Sequence, residues 1–109
     1  MEKMTKKPRT TILEQVPDNH SIPIELLFSS RGRIKIIRLL AECGELNISE
    51  IARRTKLNHS TTRRHLYLLE RAKLVQEKTF GRIRIYRYKI ENLRALALRR
   101  FIELWEKTE

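Results

Sequence analysis

A mainly helical domain with one β-hairpin is the fold class this sequence predicts, on three observations. From Ile24 onward, apolar residues recur at the three- and four-residue spacing of helices that bury one face. Between Leu74 and Ile90 that spacing gives way to a period of two, the signature of strands. Short polar residues able to cap a helix, Ser30, Asn47, Asn58 and Asn92, stand ahead of the helical stretches. The expected order is helix, helix, helix, hairpin, helix.

Residues 1–22 read as a basic N-terminal arm, charged by Lys3, Lys6, Lys7 and Arg9, interrupted by Pro17 and followed by Pro23. Ile12, Leu13 and Val16 could pack as a single helical turn. The arm is either a solvated tail or an extension that reaches into a groove or across a partner. Residues 23–90 form the main domain. Ile24, Leu27 and Phe28 make a short stripe, and Ser30 caps a helix whose buried face is Ile34, Ile37, Leu40 and Ala41, widened by Ile36 and Leu39. Gly44 stands where that helix would end in a left-handed residue. Asn47 to Glu50 has the form of a capping box, in which the Glu50 side chain reaches back to the cap. The brief helix that follows turns Ile51 and Ala52 inward and Arg53 and Arg54 outward, and Lys56-Leu57 carries the next turn. Asn58 caps a helix with Thr62, Leu66 and Leu69 on its buried side, running to about Ala72. Two strands, Leu74 to Thr79 and Arg82 to Ile90, join around Phe80-Gly81. By alternation Tyr86 and Tyr88 pack on the domain, Arg82 and Arg84 project beyond it, and Ile83 and Ile85 fall on the opposite face, where a partner or the arm could cover them.

Residues 91–109 are a C-terminal helix capped by Asn92. Leu93, Leu104, Ala97, Phe101, Trp105, Leu98 and Ile102 sweep about half of its circumference, more than the roughly 100° a helix needs to lie on one core. The surplus, Leu98, Phe101, Ile102 and Trp105, is expected to be a dimer interface. Arg94 and Arg100 break a heptad seam, which disfavours a long coiled coil. The alternative is that the arm or the first helix folds back over the stripe.

Charge narrows the function. Of the formal +11, +10 lies in residues 51–90, which hold twelve Lys or Arg and only Glu70 and Glu77 as acids. A charge this focused is the footprint of a surface that meets a polyanion, nucleic acid being the commonest. The basic residues span helix, turn and strand patterns, unlike those of a basic amphipathic membrane helix. No apolar run approaches the ~20 residues of a membrane span. The N-terminal MEKMTKKPRTTILEQ lacks the apolar core of a secretory signal, so a cytoplasmic, nucleoid-associated location is expected. Cys43 stands alone, which excludes an internal disulfide, fits a reducing setting and suggests a small buried residue at a helix end. There is no phosphate loop, no nucleophile-with-base motif and no carboxylate pair in an apolar setting, so no enzyme is expected.

Residues 48–75, ISEIARRTKLNHSTTRRHLYLLERAKLV, resemble the helix-turn-helix of winged-helix transcription regulators. Upstream, LLFSSRGRIKIIRLLAE is similar to the first helices of the ArsR-like group, and the hairpin ending in IYRYKI is similar to their wing. The resemblance covers roughly residues 24–90. It implies a winged helix-turn-helix regulator that binds double-stranded DNA as a homodimer, with residues 58–72 in the major groove and the hairpin on the adjacent backbone or minor groove. On that helix His59, Ser60, Arg63, Arg64 and Tyr67 face outward. Arg63 and Arg64 suit bidentate contacts to guanine or phosphate, and His59 and Ser60 can donate to phosphate or base. The wing contributes Lys78, Arg82 and Arg84, and Arg53, Arg54 and Lys56 grip phosphates.

The sequence departs from the family in three places. Lys73 replaces the usual Gly after the recognition helix, at some cost in strain. Thr62 replaces a usual Val and is expected to loosen the packing beneath that helix. The paired Cys and His ligands of metal-sensing members are missing, since Cys43 has no partner and His20, His59 and His65 lack ligand spacing. No metal and no cofactor are expected. The runner-up reading is an architectural or machinery-bound winged helix that does not read sequence; RNA binding ranks third, because the hairpin lacks paired stacking aromatics.

Overall fold

Local signals place the helices. In this computed structural model, which describes residues 22–108, the side-chain oxygens of Ser30, Asn47, Asn58 and Asn92 each accept backbone N–H bonds at the start of a helix. The expectations for the arm and for His20 lie outside the described residues. The helices are α1 (Ile24–Leu27), α2 (Arg31–Cys43), α3 (Ile48–Thr55), α4 (His59–Arg71) and α5 (Leu93–Lys107). The strands are β1 (Glu45–Asn47), β2 (Val75–Phe80) and β3 (Ile83–Tyr88), in one antiparallel sheet of order β1-β3-β2.

α2, α3 and α4 enclose a core of Ile36, Ile37, Leu40, Ile51, Leu66 and Leu69, closed on the sheet side by Val75, Tyr86 and Tyr88. Leu66 and Leu69 are fully buried, so Leu66→Ala should cost roughly 2–5 kcal/mol. Thr62 is fully buried as well, and its hydroxyl donates to the Asn58 carbonyl at 2.9 Å. The polar substitution therefore leaves no unsatisfied group under the helix. Tyr88, also buried, donates from its hydroxyl to the Ala95 carbonyl at 2.7 Å and so ties the hairpin to the start of α5. Burial pushes its phenol up to about 12.

Several expectations need correcting. β1 was not foreseen: three residues after Gly44 pair with β3 and add a third strand to the hairpin. A segment that short carries no periodicity of its own. The hairpin turn is Gly81-Arg82, because Phe80 pairs directly with Ile83. Gly81 has φ 62° at the first central position, which a type II′ turn demands and glycine alone supplies freely. Cys43 ends α2 as expected but is exposed. Ile24 and Phe28 of the first stripe are largely exposed, whereas Ile22, the last residue of the expected arm, is buried against Leu68.

On α5, Leu98 and Ile102 are half-buried against this domain's own core, and Ala95 is fully buried. The residues left in water are instead Leu93, Phe101, Leu104 and Trp105, each more than half exposed. The stripe was wide enough for two surfaces, and the edge nearest Ala95 goes to the core.

Candidate nucleic-acid interface

The turn between α3 and α4 sets the geometry of the site. Lys56 adopts a left-handed conformation, φ 61°, and its N–H and that of Leu57 bond back to α3. Lys73, just after α4, is left-handed too, at φ 64°. A side chain in that region costs on the order of 1 kcal/mol, so the strain expected at Lys73 is present, and Lys56 shares it. Both lysines sit at helix C-termini, where a cation meets the negative end of the helix dipole.

α4 is anchored from behind. Gly32 at the start of α2 lies so close that an added Cβ would stand 3.1 Å from His65 Nε2 and 3.3 Å from Leu57. His65 is hydrogen-bonded to Ser30 Oγ at 3.4 Å. Its imidazole is pushed down to about 4, mainly by burial, with the Arg33 and Arg64 guanidinium groups adding to the effect. It is therefore a neutral structural contact at neutral pH. Arg33 itself is buried and donates to the Leu26 carbonyl at 2.6 Å, fastening α1 to α2.

The outward face of α4 carries the residues expected there. His59, Ser60, Arg63, Arg64 and Tyr67 are all exposed. Arg63 donates to His59 Nδ1 at 3.2 Å, which leaves the imidazole proton on Nε2, free for an outside acceptor. Tyr67 is held by Arg71, whose guanidinium lies 5.8 Å from the ring centre. Neither Arg63 nor Arg64 forms an ion pair among the described residues.

The other expected contacts divide. Arg82, in the hairpin turn, is exposed and forms no ion pair among the described residues. Arg84 pairs with Glu77 at 3.2 Å, and Lys78 lies 3.7 Å from Glu45. Arg53 and Arg54 both bind the Glu50 carboxylate, at 2.8 and 2.9 Å. These bonds hold Glu50 below the usual carboxylate range. The capping box is thus half formed: Asn47 accepts from the Glu50 N–H at 2.8 Å, while the Glu50 side chain is engaged by the two arginines. The signal for this was legible, since Glu50 stands three and four residues before them. Among the described residues, no three His, Cys, Asp or Glu side chains are grouped to hold a metal ion, and no helix is long and apolar enough to cross a membrane.

Three helices, the last of them capped, cationic and outward-facing, and a two-stranded tip built onto a short third strand define a winged helix-turn-helix. Residues 30–77 match the family described as bacterial regulatory protein, arsR family. Among solved structures, it is similar to a possible transcriptional regulatory protein from Mycobacterium bovis (fragment 1–100), at 25% identity and TM-score 0.59, covering 73% of this chain and 83% of that one. A solution structure from the same organism, described as a homodimeric winged helix-turn-helix DNA-binding domain and a possible ArsR-family transcriptional regulator, matches at 25% identity and TM-score 0.59, over 72% and 70% of the two chains. HlyU from Vibrio cholerae shares the fold at 24% identity and TM-score 0.64, over 77% of this chain and 85% of that one. No curated protein matches the sequence.

Proposed function

We propose that this protein is a sequence-specific regulator of transcription, acting in the cytoplasm on nucleoid DNA as a homodimer. The observation that carries the reading is the pair Arg63 and Arg64, exposed and without acidic partners among the described residues, near the start of a capped helix anchored from behind. A major groove accepts one helix, and residues near its N-terminus reach the base edges. Arg63, Arg64, His59 and Ser60 would enter the groove with Tyr67 at its margin. Arg82 would hold the flanking backbone or minor groove. Arg84, Lys78, Arg53 and Arg54 can join only by giving up their carboxylate partners, and Lys56 can grip a phosphate beside α3.

Dimerisation is supported by the exposed apolar edge of α5, where the Phe101 and Trp105 rings pack at a tilt with centres 5.9 Å apart, and by the homodimeric Mycobacterium bovis domain. The proposed interface is Phe101 and Trp105 with Leu93 and Leu104, and Leu98 and Ile102 at its inner margin. Two recognition helices one duplex turn apart would read a two-fold site. Trp105→Glu should convert the dimer to a monomer by analytical ultracentrifugation; a mass unchanged from the wild-type dimer counts against this interface.

A selection from random duplex DNA at two salt concentrations tests the whole. A discrete two-fold consensus supports the regulator, and a featureless profile supports an architectural role instead. Affinity should fall with salt along a log–log slope of magnitude about 5 or more for the dimer.

A further inference from the structure

The hairpin presents two faces of different character. Toward the domain lie Val75, Tyr86 and Tyr88, all buried. The opposite face carries Gln76, Lys78 and Phe80 of β2 against Arg87, Ile85 and Ile83 of β3. Near the root this outer face is filled by polar contacts: Arg87 binds Gln76 and Glu91 at 2.8 Å each, and Lys78 approaches Glu45. At the tip no polar contact among the described residues takes over. Phe80 and Ile83, a directly opposed pair flanking the Gly81-Arg82 turn, are 57% and 53% exposed. A cross-strand aromatic and β-branched pair contributes to hairpin stability, but that role does not call for two large apolar groups in water.

Charge identifies what could cover them. No Asp or Glu occurs from residue 78 to residue 90, Arg82 lies within the turn, and Lys78 stands two residues before Phe80 and Arg84 one residue after Ile83. A second copy meeting this tip across a two-fold axis would set like charges against each other. A polyanion would not.

We propose that the wing tip is an apolar wedge: Phe80 and Ile83 enter the minor groove of the bound duplex and kink it at the base step they part. The groove of B-form DNA is about 6 Å wide, too narrow for a two-stranded tip with two large side chains unless it opens. Apolar side chains inserted from the minor groove partly unstack a step and bend the duplex toward the major groove. Arg82 would neutralise the phosphates drawn together around the tip. The proposal rests on duplex binding by this face and adds a mode of readout, since the cost of the kink depends on the sequence kinked.

The test uses the full chain and a duplex selected from a random pool, labelled at its ends for energy transfer and carrying 2-aminopurine at successive positions. At saturating protein the wild type should bend the duplex by roughly 20–90° and raise 2-aminopurine fluorescence at one step per half-site. The double variant Phe80→Ala, Ile83→Ala should lose both signals yet bind within about tenfold, because phosphate contacts supply most of the affinity. A wild-type complex that forms without bending overturns the wedge and leaves duplex binding standing. No wild-type complex at all removes both. A bend that survives the double variant overturns the wedge. So does a folded double variant, verified by thermal melting, that cannot bind even at low salt or that changes only in sedimentation.

Discussion

Arg53-Arg54 on α3 and Arg63-Arg64 on α4 are the same dipeptide on consecutive helices, and all four side chains are exposed. They differ in what stands one turn earlier. Ahead of the first pair is Glu50, whose carboxylate binds both guanidinium groups. Ahead of the second are His59, Ser60 and Thr61, none of them acidic, and among the described residues Arg63 forms no ion pair and bonds to the His59 ring. Formal charge in a sequence is therefore not the same as charge available to a ligand. α3 presents about one net cation from two arginines, and α4 presents two. On the proposed reading, this contrast is the reason α4 would recognise DNA and α3 would give weak, exchangeable support.

The sharpest way to break this contrast is to remove each pair. Arg63→Ala and Arg64→Ala should each weaken binding to a selected duplex by roughly 1–3 kcal/mol per protomer and relax preference at one base where the contact is bidentate. Arg53→Ala should do visibly less in the same fluorescence-anisotropy titration. If the α3 variant loses as much as the α4 variants, availability is not what separates the two helices. Next in size is Arg82→Ala, which should weaken selected and unselected duplexes about alike and reduce the salt slope by about one per protomer. A loss confined to the selected duplex would make Arg82 a reader of bases.

Much of this architecture was legible in the sequence because it rests on local chemistry. Four caps, the buried stripes of α2 and α4, and the inward Tyr86 and Tyr88 follow from spacing and from side chains able to accept N–H bonds. What escaped depends on contacts distant in sequence or on choices between two good partners. β1 exists because β3 offers an edge. Leu98 and Ile102 could have faced a partner as well as the core, and only the seating of Ala95 beneath the hairpin decides it. The exposed outer face of Ile83 was visible as an oddity of alternation, yet Phe80 joined it only once the turn fell on Gly81-Arg82. Glu50 was assigned to the cap when the nearer cations, on its own helix face, held the stronger claim.

Glu50→Gln sharpens the comparison from the other side. It removes the acid while keeping the backbone N–H that Asn47 caps. Arg53 and Arg54 would be released, so α3 should come to behave like α4: affinity for any duplex should rise modestly, and the salt slope should steepen by up to about one per protomer. The thermal midpoint should fall slightly, as expected on losing exposed ion pairs within one helix. An affinity that falls instead would mean Glu50 positions the two arginines for phosphate rather than neutralising them.

The smallest expected effect on binding comes from a second pair of like residues, the two histidines of α4. His59 is exposed and bonded to Arg63, whereas His65 is half-buried against Ser30. Burial, with Arg33 and Arg64 nearby, lowers His65 from 6.5 to about 4, so the unfolded chain takes up this proton before the folded one does. Stability from this group is then complete above about pH 6.5 and is lost as the pH falls toward 4. Glu91, held at about 2 by its bond to Arg87, adds its own loss only below its ordinary 4.5, so the window between about pH 6.5 and 4.5 isolates the imidazole. The wild-type melting temperature should decline across that window. His65→Gln, which keeps a hydrogen-bonding group near Ser30 and has no proton to gain, should flatten the decline and leave anisotropy at neutral pH unchanged. A decline of equal steepness in the variant would place the acid sensitivity elsewhere and reduce His65 to packing alone.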